Sequence, residues 1–306
     1  MPKIKYIDIN IGERRLALVN ICNQIVAEYT AQGFRLTLRQ LYYQLVSRDV
    51  IPNSQKEYSK LGDAVNDARL SGLIDWNAIE DRTRELGINS HWAEPSEVIV
   101  SAAFSYHNDL WRFQRWRPEV WVEKDALEGV VESACRPLDV PFFSCRGYTS
   151  QTAMWEASQR LLRHAKSRAP GLVGLQKPII FHLGDHDPSG IDMSRDIKER
   201  LELFTGLSIE FRRLALNMDQ IEQYGPPPNP AKTTDSRFQS YSSIHGDESW
   251  ELDALEPTVL VTLIQANIRS VMNEEAFERA KTIQEKGREE LNSIAGDYQT
   301  AVKAVT

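Results

Sequence analysis

The chain has 306 residues, 42% of them hydrophobic and 26% charged, with a formal net charge of −7 at pH 7. That composition excludes a disordered, collagen-like or disulfide-stapled chain and leaves apolar material for about two domains. No run reaches the roughly 18 apolar residues of a membrane span, no apolar stretch follows Met1-Pro2-Lys3 as in a signal peptide, and Cys22, Cys135 and Cys145 form no CxxC pair. The expected setting is therefore the cytoplasm, beside the nucleoid if the chain handles cellular DNA, without membrane, disulfide or structural zinc.

Charge is unevenly distributed. Residues 1–84 sum to +2 and residues 85–306 to −9, so the front of the chain is the better candidate for meeting phosphates. Residues 12–32 place Leu16, Leu18, Val19, Ile21, Cys22, Ile25 and Val26 at mixed three- and four-residue spacings, which reads as an amphipathic helix ending near Gly33. Thr37 is an N-cap for a second helix, LRQLYYQLVSRD, whose stripe is Leu38, Leu41, Tyr42 and Leu45. A third helix, EYSKLGDAVNDARLSG, stops at Gly72, and a short strand is expected over 73–84. Three helices followed by a strand make either a winged helix-turn-helix, with Lys56, Lys60 and Arg69 on or beside the groove-facing helix, or a plain three-helix packing unit.

A connecting helix is expected over 95–117, ending in WRFQRWR. Its alternating aromatic and basic residues suit either base stacking or burial at a domain junction with the arginines reaching outward. From Pro118 the pattern changes to strands at 119–124, 140–145, 177–185 and 207–216, alternating with helices. This implies parallel βαβ units and a Rossmann-like open sheet whose ligands lie at the carboxyl ends of the strands. Residues 225–249 are rich in Pro, Ser, Asn and Gly and read as a surface loop that holds Asn229, Lys232 and Asp235, after which 251–273 and the charged tail read as helices.

The strand ends carry the chemistry. Glu123 closes the first strand of this region, and Asp185 and Asp187 follow the third within GDHDPSG. Three carboxylates at one sheet edge offer hard oxygens for magnesium, an ion that neutralises phosphate charge during phosphoryl transfer. Asp187-Pro188 also suits a helix start, which accounts for Asp187 structurally but not for Asp185 or Glu123. His182 reads as core and His186 as packed or solvent-facing. Lys124 and Arg146 sit at the same edge and are candidate DNA-backbone contacts.

VEKDALEG (122–129) followed by GDHDPSGIDM (184–193) resembles the Toprim signature. With WELDALEP (250–257) and the upstream TLRQLYYQLV (37–46), the chain is similar to the A subunit of DNA topoisomerase VI and the related meiotic double-strand-break protein, over about residues 35–265 in matching order. The resemblance implies a winged helix within residues 1–94, a connector over 95–118, and a Toprim domain with C-terminal helices over 119–306. It further implies that Glu123, Asp185 and Asp187 hold Mg2+, that Tyr43 attacks a DNA phosphate to leave a phosphotyrosyl end, and that Arg39, one helical turn away, steadies the phosphate. The implied partners are double-stranded DNA, a second copy of the chain whose metal faces the tyrosine, and a separate ATPase subunit, since no nucleotide-binding fingerprint is present.

Gln40 departs from the acidic residue often found between the arginine and the aromatic pair. Other Toprim relatives cut by metal-assisted hydrolysis, which would leave Tyr43 as a packing residue. Three readings follow: a tyrosine transesterase of the topoisomerase kind, a Toprim nuclease using water, and a catalytically inactive DNA-binding protein. The intact acidic triad argues against the last.

Overall fold

The computed structural model describes residues 3–79, 89–166 and 175–305, with side chains to residue 298. Helices α1 (Glu13–Ala31), α2 (Leu38–Ser47) and α3 (Gln55–Leu70) pack around Val19, Cys22, Ile25, Leu41, Leu45, Leu61 and Val65. Thr37 starts α2 through a reciprocal capping box: its amide donates to Gln40 Oε1 at 2.8 Å, and the Gln40 amide donates to Thr37 Oγ1 at 3.3 Å. Gln40 thus does the work an acid would do at the third helical position. Ser54 caps α3, accepting from the Glu57 amide.

No strand forms over 73–79. Asp75 builds a turn there, accepting the Asn77 amide on its side chain and the Ala78 amide on its carbonyl, so turn chemistry overrides the alternation. Ile79 makes one isolated bridge, to Leu36, and residues 80–84 of the expected strand lie outside the described residues.

The connecting helix is shorter than its sequence suggests. Helix α4 runs Pro95–Ser105. Asp109 then turns the chain by accepting the Trp111 amide, and Trp116 already belongs to strand β1 (Trp116–Val122). The aromatic and basic run is a junction: Trp111 is buried with Nε1 donating to Leu138 O at 2.8 Å, and Arg117 pairs with Asp109.

One four-stranded parallel sheet organises the rest, in the order β2, β1, β3, β4, where β2 is Phe142–Ser144, β3 Lys177–Leu183 and β4 Glu210–Ala215. The register runs from Trp116 opposite Lys177 to Val122 opposite Leu183, so Glu123 and the loop after Leu183 emerge side by side. Helices α5 (Glu128–Cys135), α6 (Gln151–Lys166) and α7 (Pro188–Thr205) follow the first three strands. Val120, Val122, Ile179 and Phe181 pack on one face with Val131, Leu260 and Ile264; Trp121 and Ile180 pack on the other with Met154, Leu161 and Ile197. Burial on both faces explains the near-continuous apolar runs of β1 and β3. The exception is Glu119, whose buried carboxylate takes two 2.8 Å bonds from Arg160 of α6 and one from Trp121 Nε1.

Beyond the sheet lie α8 (Met218–Tyr224), a short antiparallel pair of β5 (Asn229–Pro230) with β6 (Glu248–Ser249), and α9 (Phe238–His245). The expected loop over 225–249 is therefore partly ordered. Tyr241 fixes it, its buried hydroxyl bonding the carbonyls of His186 and Glu248. Residues 252–254 form a 3-10 turn before α10 (Pro257–Ser270), and α11 (Glu274–Val305) packs along α4. Among the described residues no helix is long and apolar enough to cross a membrane.

Candidate functional site

Helix α2, the loop after β3 and the β5–β6 segment meet at a cavity of about 260 Å³ lined by Tyr43, Asp185, Asp187, Asn229, Lys232 and Glu251, with Pro230, Ser249 and Trp250. Tyr43 and the two aspartates, about 140 residues apart in sequence, thus share one space within one chain. The two tyrosines of the pair differ sharply. Tyr42 bonds Asn53 Oδ1 at 2.9 Å and Ser54 O at 3.2 Å and accepts the Ser54 amide at 2.7 Å. The Tyr43 hydroxyl has no hydrogen-bond partner among the described residues, and Arg39 lies over its ring at 5.8 Å.

Burial pushes the Tyr43 phenol up, and the negative charges of Glu251 and Asp253 push it further, while Arg39 and Lys124 pull the other way. The phenol is consequently protonated at rest.

Asp185 sits in a dense ionic network. Lys124 Nζ lies 2.8 Å from Asp185 Oδ1 and 3.1 Å from Asp253 Oδ1, and also contacts Glu251. Arg39 reaches the same group, with Nε 2.8 Å from Asp253 Oδ2 and Nη2 2.9 Å from Glu251 Oε2. Arg39 and Lys124 are therefore committed to carboxylates, and they tie α2 to the 3-10 turn at 252–254. Asp185 Oδ1 also accepts the Leu252 amide at 2.8 Å. Burial pushes Asp185 up, opposed by Lys124 and reinforced by Glu123, Glu251 and Asp253.

Glu123 accepts the Asp185 amide at 2.9 Å. Its carboxylate rests against Gly184 and Gly190, where any Cβ would press on Glu123 Oε2 at 2.9 and 3.0 Å. Burial pushes Glu123 up as well, opposed by the Asp185 amide and by Lys124, with Asp187 adding to the rise. Asp187 caps α7, accepting the Gly190 amide at 2.6 Å and Ser189 Oγ at 2.9 Å, with Pro188 at the first helical position. Among the described residues no three His, Cys, Asp or Glu side chains are gathered closely enough to hold a metal ion. The three carboxylates fit a hard divalent cation in donor chemistry. What separates them is placement, since Asp185 faces Lys124 and Leu252 while Asp187 faces the start of α7.

Arg213 of β4 supports the loop from behind. Its half-buried guanidinium donates to the carbonyls of Gly184 (2.9 Å), Asp185 (2.6 Å) and Gly190 (3.0 Å), which fixes the backbone between the aspartates. His186 is packed, its backbone pairing with Trp250 and its ring bonding Tyr241 at 2.9 Å.

The remaining sequence candidates lie elsewhere. Lys56 and Lys60 are exposed on α3, with Lys60 2.6 Å from Glu57. Arg69 turns inward to the carbonyls of Trp76 and Ile79 and stacks on Trp76, which leaves its guanidinium bonded within the helical unit. Arg146 is exposed at the sheet edge, 3.6 Å from Asp125. Sequence reasoning did not assign Glu251, Asp253 or Arg213. An acid such as Asp253 between the buried Leu252 and Ala254 is a readable signal, because a buried carboxylate demands a cation.

Comparison with protein-family models finds no match, and a search of the curated proteins finds none either.

Proposed function

We propose that the chain is a DNA-cleaving enzyme of the Toprim type, with a winged-helix front domain, in which Tyr43 attacks a phosphodiester and becomes covalently joined to the broken strand. The observation that carries this reading is the shared cavity: a tyrosine whose hydroxyl makes no bond among the described residues faces carboxylates at a parallel sheet edge. A phenol that served only packing would be expected to be tied down, as Tyr42 is.

Glu123, Asp185 and Asp187 would hold Mg2+, which would supply charge neutralisation at the phosphate and stabilise the developing oxyanion. In the step itself Tyr43 Oη forms a bond to phosphorus, and its proton passes to a carboxylate of the cavity. Glu251, which lines the cavity with Tyr43 and is held ionised by Lys124 and Arg39 against the cost of burial, is the acceptor we assign. The bond from phosphorus to one sugar oxygen breaks, and that oxygen leaves as a hydroxyl after taking a proton from solvent. The phosphotyrosyl bond keeps the energy of the broken one, so religation is the same step in reverse. The arrangement supports a site complete within one chain. Double-stranded DNA remains the proposed partner, with a second copy and an ATPase subunit needed only if strands are to be passed.

A water nucleophile is the second reading, favoured by the upward shift of the Tyr43 phenol. Incubation with supercoiled plasmid and magnesium, quenched by detergent with and without proteinase, separates the two. We expect cleaved DNA that stays protein-linked until digestion and is lost in both Tyr43→Phe and Asp185→Ala. Cleavage that survives Tyr43→Phe but not Asp185→Ala would establish hydrolysis and reduce Tyr43 to packing.

A further inference from the structure

The cavity presents three carboxylates, Asp185, Asp187 and Glu251, to any ligand, and Lys232 is the single basic residue among those that line it. The cations around it are already engaged: Lys124 and Arg39 with carboxylates, Arg213 with main-chain carbonyls. Lys232 differs from all of them. Its side chain is exposed and makes no ion pair or hydrogen bond among the described residues. Asp235, three residues on, is held by Arg237 with Nε at 2.7 Å and Nη2 at 2.8 Å, and it meets the Lys232 charge only through space.

The backbone beneath Lys232 is nevertheless fixed. The Ala231 amide donates to Asp247 O at 2.8 Å, the Asp235 amide donates to Lys232 O at 3.0 Å, and Ala231 is buried. Asn229 at the start of the segment accepts from Asn53 Nδ2, which anchors it to the helical unit that carries Tyr43. A lysine with a held backbone, and with an ammonium that makes no hydrogen bond or ion pair among the described residues, is arranged beside an acidic cavity for an anion that arrives from outside.

We propose that Lys232 is the residue that contacts the phosphodiester backbone of a nucleic-acid strand entering the cavity, and that it offsets the repulsion between that phosphate and the three carboxylates. The inference rests on the reading of the cavity as a phosphodiester site. It makes Lys232 a positioning residue for the substrate, with no part in bond breaking.

Fluorescence anisotropy of a short labelled duplex, measured with the full chain in the presence of a chelator, tests it without requiring cleavage. Wild type, Lys232→Ala, Lys232→Arg and Lys198→Ala are titrated between about 50 and 200 mM salt, Lys198 being an exposed lysine of α7 that does not line the cavity. Lys232→Ala is expected to reduce the slope of log affinity against log salt by about 1 and to weaken binding roughly threefold to tenfold, whereas Lys232→Arg keeps both values. Inorganic phosphate should compete more strongly against wild type than sodium chloride of equal ionic strength, and equally in Lys232→Ala. A Lys232→Ala variant with the slope and affinity of Lys198→Ala overturns the proposal, as does a wild type that binds no DNA. Loss of binding in Lys232→Ala with no cleavage by wild type would instead uphold the phosphate contact and overturn the cleavage reading.

Discussion

Tyr42 and Tyr43 are chemically identical neighbours, and helix geometry separates their roles by rotating one side chain about 100° from the other. Tyr42 turns into the helical unit, where Asn53 and Ser54 take up its hydroxyl; Tyr43 turns to the cavity. Tyr42→Phe is accordingly expected to lose about 1–2 kcal/mol of stability, because the Ser54 amide and the Asn53 carboxamide lose a partner. The same change should leave DNA cleavage intact. Urea denaturation beside the plasmid assay checks both halves, and a stable but inactive Tyr42→Phe would mean that the pair has been assigned in the wrong order. The sequence named the pair and the acids near it, but not which acids Arg39 and Lys124 would hold. Those partners, Glu251 and Asp253, are more than 120 residues downstream of Lys124, and only tertiary folding brings them together.

At the scale of elements, β1 and β3 were legible because strands buried on both faces must be apolar nearly throughout, and α2 was legible through its cap. The expected strand, over its described residues 73–79, and the long connecting helix failed where Asp75 and Asp109 formed side-chain turns that hydropathy cannot register. The ordered β5–β6 pair was hidden for a similar reason: Tyr241 bonds the carbonyls of His186 and Glu248, and composition does not register such a contact. His182 on β3 offers a test of how this layer responds to pH. Its ring is fully buried, and burial, followed by the nearby Arg213, pushes its pKa down from 6.5 to about 3. The unfolded chain takes up that proton near pH 6.5 and the folded chain resists it, so the His182 contribution is intact above about 6.5 and falls away as pH drops toward 3. In His182→Gln, which retains a polar partner for Ser194 but does not titrate, the decline in urea midpoint across that window is expected to be shallower than in wild type. An unchanged decline would place the acid sensitivity elsewhere.

For the whole molecule, the decisive feature is that Tyr43, Asp185 and Asp187 line one cavity of one chain. The family resemblance implies a tyrosine of one subunit facing the acids of another, whereas here α2 is tied to the sheet edge of its own chain through Arg39, Glu251 and Asp253. The central claim is then open to one direct measurement: plasmid cleavage by an equimolar mixture of Tyr43→Phe and Asp185→Ala, set against each variant alone and wild type at the same concentration. A site built within one chain requires that wild type cleaves and that the mixture is as inert as either variant. Cleavage restored in the mixture, through a tyrosine from one copy and carboxylates from the other, would contradict it.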